Sequence, residues 1–145
     1  MVRSIRGLCL PLLLASSAYA GGIEVYDAGN FTSMQLRERT VLLHFYSVGC
    51  PPCDEQVKAL TALTAAPGSF FPAVLQVDYR TQEDLKSRYR VSAPSTFLLF
   101  KGARLIGRTV GTLDAKGILA FVRDTRIKAR GRPDPRPKRT YLPKR

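Results

Sequence analysis

The sequence is short of three things. It has three cysteines and one histidine in 145 residues, too few for a disulfide-rich scaffold or a haem-rich or multi-zinc protein. No apolar run approaches the roughly 20 residues that a membrane-spanning helix needs. Acidic side chains are scarce: 11 Asp+Glu stand against 23 Lys+Arg, a formal charge of +12. A core is still within reach. Apolar residues make up 45% and charged residues 23%, which excludes full disorder, and 16.1 kDa amounts to one ordinary domain. There is no internal repeat.

The first twenty residues read as an address. Arg3 and Arg6 form a positive start, Leu8 to Ala15 a short apolar core, and Ala18-Tyr19-Ala20 a small-x-small cleavage site with Gly21 as the mature start. This is the pattern of a secretory signal peptide, with an uncleaved N-terminal anchor as the alternative. Cys9 does not follow a lipoprotein box. If the segment is removed, only Cys50 and Cys53 remain. An exported chain meets an oxidising compartment, for a bacterial source the periplasm, and these two thiols can pair with none left over.

The charge is uneven. Residues 21–125 carry 12 Lys+Arg and 10 Asp+Glu, whereas residues 126–145 carry 9 Lys+Arg and only Asp134. The stretch from Arg130 to Arg145 also holds four prolines, Pro133, Pro135, Pro137 and Pro143. It is expected to be extended, polyproline-like and largely disordered. The division is therefore a signal at 1–20, a domain at 21–129 and a basic tail at 130–145.

Within the domain, strands alternate with helices. Ile23–Tyr26, Val41–Tyr46, Ala73–Val77, Thr96–Phe100 and Arg104–Val110 read as strands, the last two joined as a hairpin through Lys101-Gly102-Ala103. A helix capped by Thr32 or Ser33 is expected through Arg39. A second runs from Pro51 to Ala65, with Val57, Leu60, Leu63 and Thr64 on one face and Pro67-Gly68 as its stop. A third begins at the capping-box-like Thr81-Gln82-Glu83-Asp84 and reaches Tyr89. A fourth runs from Leu113 to about Lys128, carrying Ile118, Leu119, Phe121 and Val122. The order β-α-β-α-β-α-β-β-α implies an α/β fold, a mixed central sheet with helices on both faces.

The chemistry sits at Cys50-Pro51-Pro52-Cys53, directly after a buried strand and at the start of a helix. The unpaired N–H groups and dipole of a helix N-terminus favour an anion, so a thiolate at Cys50 is stabilised and activated. Cys53, one turn further in, is positioned to resolve a mixed disulfide. Pro51 suits the first turn. Pro51 and Pro52 together remove two donors to the thiolate, which favours reducing behaviour. Zinc would need about four ligands where only two cysteines and His44 are at hand. A staple across so small a loop would contribute only about 2 kcal/mol. An inert relic of a redox site is the remaining alternative.

The segment Val41–Cys53, VLLHFYSVGCPPC, resembles the strand and active-site segment of the thioredoxin superfamily. Val91–Lys101, VSAPSTFLLFK, resembles its second signature, a cis-proline followed by an apolar strand, and Val110–Gly117 resembles its last strand and C-terminal helix. The signal and the CPPC motif look most like periplasmic thioredoxin-like reductases of the TlpA type. The resemblance implies a thioredoxin fold, a Cys50–Cys53 redox couple with Cys50 as nucleophile, and substrate peptide binding at Pro94, flanked by Ala93 and Ser95. Pro94 is taken as the cis-proline; an ungapped match would put Ser95 there. Three departures stand out: Gly49 replaces the usual Trp, His44 replaces a buried acid beneath the second cysteine, and Val74 replaces that acid's Lys partner. His44 reads either as a core histidine with one hydrogen-bonded nitrogen or as the proton acceptor for Cys53.

The reading is an exported thiol–disulfide oxidoreductase acting on protein or peptide disulfides as a reductant, fed by a membrane electron donor. It needs no metal or organic cofactor, because the dithiol carries the electrons. Two alternatives are a disulfide-forming oxidant of the DsbA sort and an assembly or chaperone module of a secretion or conjugation apparatus. The 40 residues between Cys53 and Pro94 leave no room for the helical insertion usual in the former. The tail is either a solvated end or an attachment to an acidic partner or anionic lipid. No nucleic-acid partner is expected, and a monomer is.

Overall fold

A computed structural model describes residues 21–65, 70–111 and 114–131. The signal segment, the Pro67-Gly68 stop, Leu113 and the tail from Arg132 onward lie outside the described residues. Along the chain run β1 (Ile23–Val25), α1 (Ala28–Leu36), β2 (Thr40–Tyr46), α2 (Pro51–Ala65), β3 (Ala73–Asp78), α3 (Glu83–Tyr89), β4 (Thr96–Lys101), β5 (Arg104–Val110) and α4 (Ala115–Arg130). This is the order the sequence implies, a mixed sheet between helices.

The sheet order is β1-β3-β2-β4-β5. β3 runs parallel to both β1 and β2, while β4 is antiparallel to β2 and β5 to β4. β2 is central and buried on both faces, which is why VLLHFY is a continuous apolar run broken only by His44. Successive side chains of a strand point to opposite faces. Val41, Leu43 and Phe45 therefore pack with Phe31 and Met34 of α1 and Leu85 of α3. Leu42 packs the other way, with Leu60 of α2 and Ile118 and Val122 of α4. His44, two residues on, shares the face of Leu42, the face that α2 covers.

Several helix boundaries differ from expectation, each for a local reason. The first helix starts at Ala28, not at Thr32 or Ser33. Asp27 sits in extended backbone and its carboxylate accepts the Asn30 N–H at 2.7 Å, the geometry that an N-cap needs. Thr32 lies inside the helix, its hydroxyl donating to the Ala28 carbonyl at 2.8 Å. The helix ends at Leu36 rather than Arg39, because Glu38 turns to φ 52°. The capping box at Thr81 does not form: Gln82 is the N-cap and makes no side-chain cap bond. Asp78 organises that turn instead, its side chain accepting from the Arg80 N–H at 2.8 Å and its carbonyl from Thr81 and Gln82.

α4 is capped by Asp114, which accepts the Gly117 N–H at 2.7 Å. It runs two residues past its expected end, with Lys128 and Arg130 in the last turn, where cations suit the helix dipole. Ile118 and Val122 are buried and Phe121 packs against them, but Leu119 is 48% exposed and lies off the core face. β1 stops one residue short, at Val25, although the Tyr26 N–H still bonds to the Gln76 carbonyl at 2.8 Å.

Candidate active site

Strand β2 delivers the chain to the site and α2 carries it away. Gly49 makes the turn between them at φ +75°, a conformation open to glycine and strained for other residues. α2 then opens with Pro51 and Pro52, which have no N–H to leave unpaired in the first turn. The Cys50 carbonyl accepts from the N–H groups of Cys53 at 2.9 Å and Asp54 at 3.2 Å, so Cys50 stands at the helix mouth. The two sulfurs are joined in a disulfide, with Cα atoms 5.3 Å apart. Cys50 is half-buried, whereas Cys53 has no exposed surface. Tyr46, at the end of β2, donates its hydroxyl to Asp54 at 3.1 Å, and that carboxylate holds the phenol above its ordinary range.

The buried side of α2 is a stripe of Cys53, Gln56, Leu60 and Thr64, the spacing of one helix face. Of the four residues expected there, Leu60 and Thr64 are buried, while Val57 and Leu63 are half-buried at its margin. Gln56 went unnoticed in the sequence, yet it is fully buried and is the polar hub of the site. Its Oε1 lies 2.9 Å from His44 Nε2. Its amide nitrogen donates to the Gly111 carbonyl at 2.5 Å and reaches the Ser95 carbonyl at 3.4 Å. The signal was present: a glutamine three residues after Cys53 and four before Leu60 falls on the apolar stripe of α2.

His44 is fully buried, its ring 4.9 Å from that of Phe97 on β4. One nitrogen meets Gln56. The other, Nδ1, has no hydrogen-bond partner among the described residues. Burial lowers the imidazole pKa from 6.5 to about 4, against a smaller opposing effect of the Gln56 hydrogen bond. The ring is therefore neutral at physiological pH. Val74 is buried in the apolar cluster with Leu42 and Phe97, so no lysine partners this strand from β3.

The segment before β4 corrects the expected cis-proline. No peptide bond among the described residues is cis, the one preceding Pro94 included. Ser95, not Pro94, is the residue that meets β2: its N–H donates to the Phe45 carbonyl at 2.8 Å, a bond that a proline at that position could not make. Ser95 adopts φ 58°, uncommon for a residue other than glycine, and is buried. Its hydroxyl donates to the Gly111 carbonyl at 3.0 Å, so its side chain is held inward. Ala93 and Pro94 are half-buried, and the Ala93 carbonyl accepts from the Thr96 hydroxyl at 2.7 Å. Through Gln56 the structure thus joins the CxxC helix, His44 and Ser95.

The thioredoxin family model matches residues 22–124. The chain belongs to the thioredoxin family. A thioredoxin of Chlamydia trachomatis is 28% identical over 100 residues, covering 69% of this chain and 95% of that protein. Chloroplastic thioredoxin Y2 of Arabidopsis thaliana is 28% identical over 92 residues, 63% of this chain, and the chain spans about half (54%) of its length. Among solved structures, Trxlp from Edwardsiella tarda superposes with a TM-score of 0.64 at 30% identity, covering 70% of this chain and 98% of that one. As a thioredoxin-family site with paired CxxC cysteines, this arrangement supports thiol–disulfide exchange. Within that frame Gly49 and the 69% exposed Val48 leave the approach to Cys50 open.

Proposed function

We propose that the chain is an exported thiol–disulfide oxidoreductase that reduces disulfides of protein substrates, akin to TlpA-like periplasmic reductases. The observation that carries the reading is the Cys50–Cys53 pair at the mouth of α2, with Cys50 half-buried and Cys53 enclosed. In the reduced protein the helix N-terminus stabilises a Cys50 thiolate. That thiolate attacks a substrate disulfide; one substrate sulfur leaves as a thiolate and a mixed disulfide forms at Cys50. Cys53 loses its proton and attacks the Cys50 sulfur. The mixed disulfide breaks, the second substrate thiolate leaves, and the Cys50–Cys53 bond closes. Two electrons pass to the substrate, and a dithiol donor at the membrane returns them.

His44 takes the Cys53 proton in this reading. Its support is a neutral, enclosed imidazole with one unpartnered nitrogen on the α2 side of the sheet. Ala93 and Pro94, beside Ser95, form the edge against which the substrate strand lies. Insulin reduction tests the whole. Cys50→Ser is expected to abolish it, and equal activity in that variant would refute the enzyme reading. His44→Ala is expected to slow release of a trapped mixed disulfide and leave its formation at Cys50 unchanged. A couple near the −270 mV of thioredoxin marks a reductant, one near about −120 mV an oxidant.

The basic segment 126–145 serves in this reading as an electrostatic attachment to an acidic partner or an anionic membrane surface, supported by its 9 Lys+Arg against one acid. Deleting residues 132–145 is expected to remove salt-sensitive co-sedimentation with phosphatidylglycerol vesicles and to leave insulin reduction unchanged.

A further inference from the structure

The buried face of α2 holds one side chain whose polar atoms all point at other elements. The two groups near the Gln56 amide nitrogen, Gly111 O and Ser95 O, are backbone carbonyls. Carbonyls cannot donate, so the nitrogen end of Gln56 must face them and the oxygen end must face His44. An amide oxygen cannot donate either. The hydrogen of the 2.9 Å bond therefore belongs to His44 Nε2. In a neutral imidazole only one nitrogen carries a hydrogen, so Nδ1, the nitrogen without a partner, holds a bare lone pair.

We propose that Gln56 is a positioning residue: it locks His44 in the Nε2–H tautomer, and so fixes Nδ1 as the one atom of the ring able to accept a proton. Its grip comes from backbone atoms. Gly111 returns the tie by donating its own N–H to the Ser95 carbonyl at 3.1 Å, and the Ser95 hydroxyl bonds to the Gly111 carbonyl. Gly111 takes φ +110°, a conformation suited to glycine, which lets its carbonyl and N–H both enter this cluster. Rotation of the Gln56 amide would bring its NH2 group against His44 and its oxygen against two carbonyls. That penalty holds the tautomer without any charged group. A carboxylate would orient the ring as well, but it would also draw it towards the charged form; the neutral amide orients it and keeps it free of a proton.

This inference rests on His44 acting as the proton acceptor, but its test does not depend on activity. The chain has a single histidine, so the long-range 1H–15N spectrum of the oxidised full-length protein shows one imidazole. The wild type is expected to give the pure Nε2–H pattern at neutral pH. Gln56→Leu, which removes both ends of the amide, is expected to give a mixed-tautomer pattern and to slow release of the mixed disulfide by about tenfold or more. Gln56→Glu is expected to raise the His44 pKa well above its wild-type value and serves if the leucine variant does not fold. A wild-type Nδ1–H pattern, or an unchanged tautomer in Gln56→Leu, would overturn the assignment. An altered tautomer with unaltered release would uphold the positioning role of Gln56 and overturn the proton-acceptor role of His44.

Discussion

The two faces of the sheet are built from alternate residues of the same strands, yet they are chemically unlike. The face under α1 and α3 is an apolar cluster of Phe31, Met34, Val41, Leu43, Phe45, Leu75, Val77, Leu85, Val91, Leu98 and Phe100. The face under α2 and α4 has an apolar body around Leu42, Leu60, Val74, Phe97, Leu99, Ile118 and Val122. At its end next to the disulfide, however, it buries His44 and Gln56 completely. Burying two polar side chains is costly unless they are bonded. Here they bond to each other and to two loop carbonyls, leaving a single imidazole nitrogen unpartnered among the described residues. One face packs an apolar cluster, and the other holds a neutral imidazole and an amide inside the protein.

Substitutions should separate these roles. The largest effect is expected for Phe100→Ala on the α1/α3 face. Phe100 is fully buried, with the rings of Phe31 and Tyr89 each 5.2 Å away. Truncation there should cost about 3–5 kcal/mol in urea unfolding, while the folded fraction keeps wild-type thiol reactivity at Cys50. Loss of that reactivity would show that the faces are not separable.

The next effect comes from acid and belongs to the α2/α4 face. The folded-state pKa of His44 is lowered from 6.5 to about 4, so between these values the unfolded chain binds a proton that the folded one does not. The stability associated with a neutral His44 is fully present above pH 6.5, falls by about 3 kcal/mol as the pH drops to about 4, and is level below that. Comparing urea midpoints at neutral pH and near pH 4 for wild type and His44→Leu isolates it; the variant should lack this component of the pH dependence. The smallest effect is expected for Leu119→Ser. Leu119 adjoins the buried Ile118 but is 48% exposed, and the exchange should stay within about 0.5 kcal/mol.

Much of this arrangement was legible in the sequence because it is local or periodic. The start of α2 follows from Pro51-Pro52. The central position of β2 follows from its apolar run, interrupted only by His44, and the pairing of Cys50 with Cys53 needs no more than one helical turn. What escaped notice depends on residues far apart in the chain. Gln56 meets partners 12, 39 and 55 positions away, and a glutamine on a helix is by default a solvated side chain. The positive φ of Ser95 occurs where its N–H meets Phe45 on another strand, a pairing that local sequence does not reveal. The cap at Asp27 was not foreseen; the expectation fell on Thr32 and Ser33, hydroxyl residues further on.

The placement of β2 also bears on how the molecule opens. β1 is a three-residue edge strand held by one neighbour, with Val25 85% exposed. β2 is paired along its length, with Val41 opposite both Ala73 of β3 and Phe100 of β4. Local fraying at the rim therefore exposes the amides of Ile23–Val25 to hydrogen exchange while the centre stays closed. The amides of Val41–Phe45 exchange only when the whole sheet comes apart. Because the CxxC helix starts five residues beyond β2, the disulfide stands next to the strand expected to exchange last, away from the rim where fraying begins.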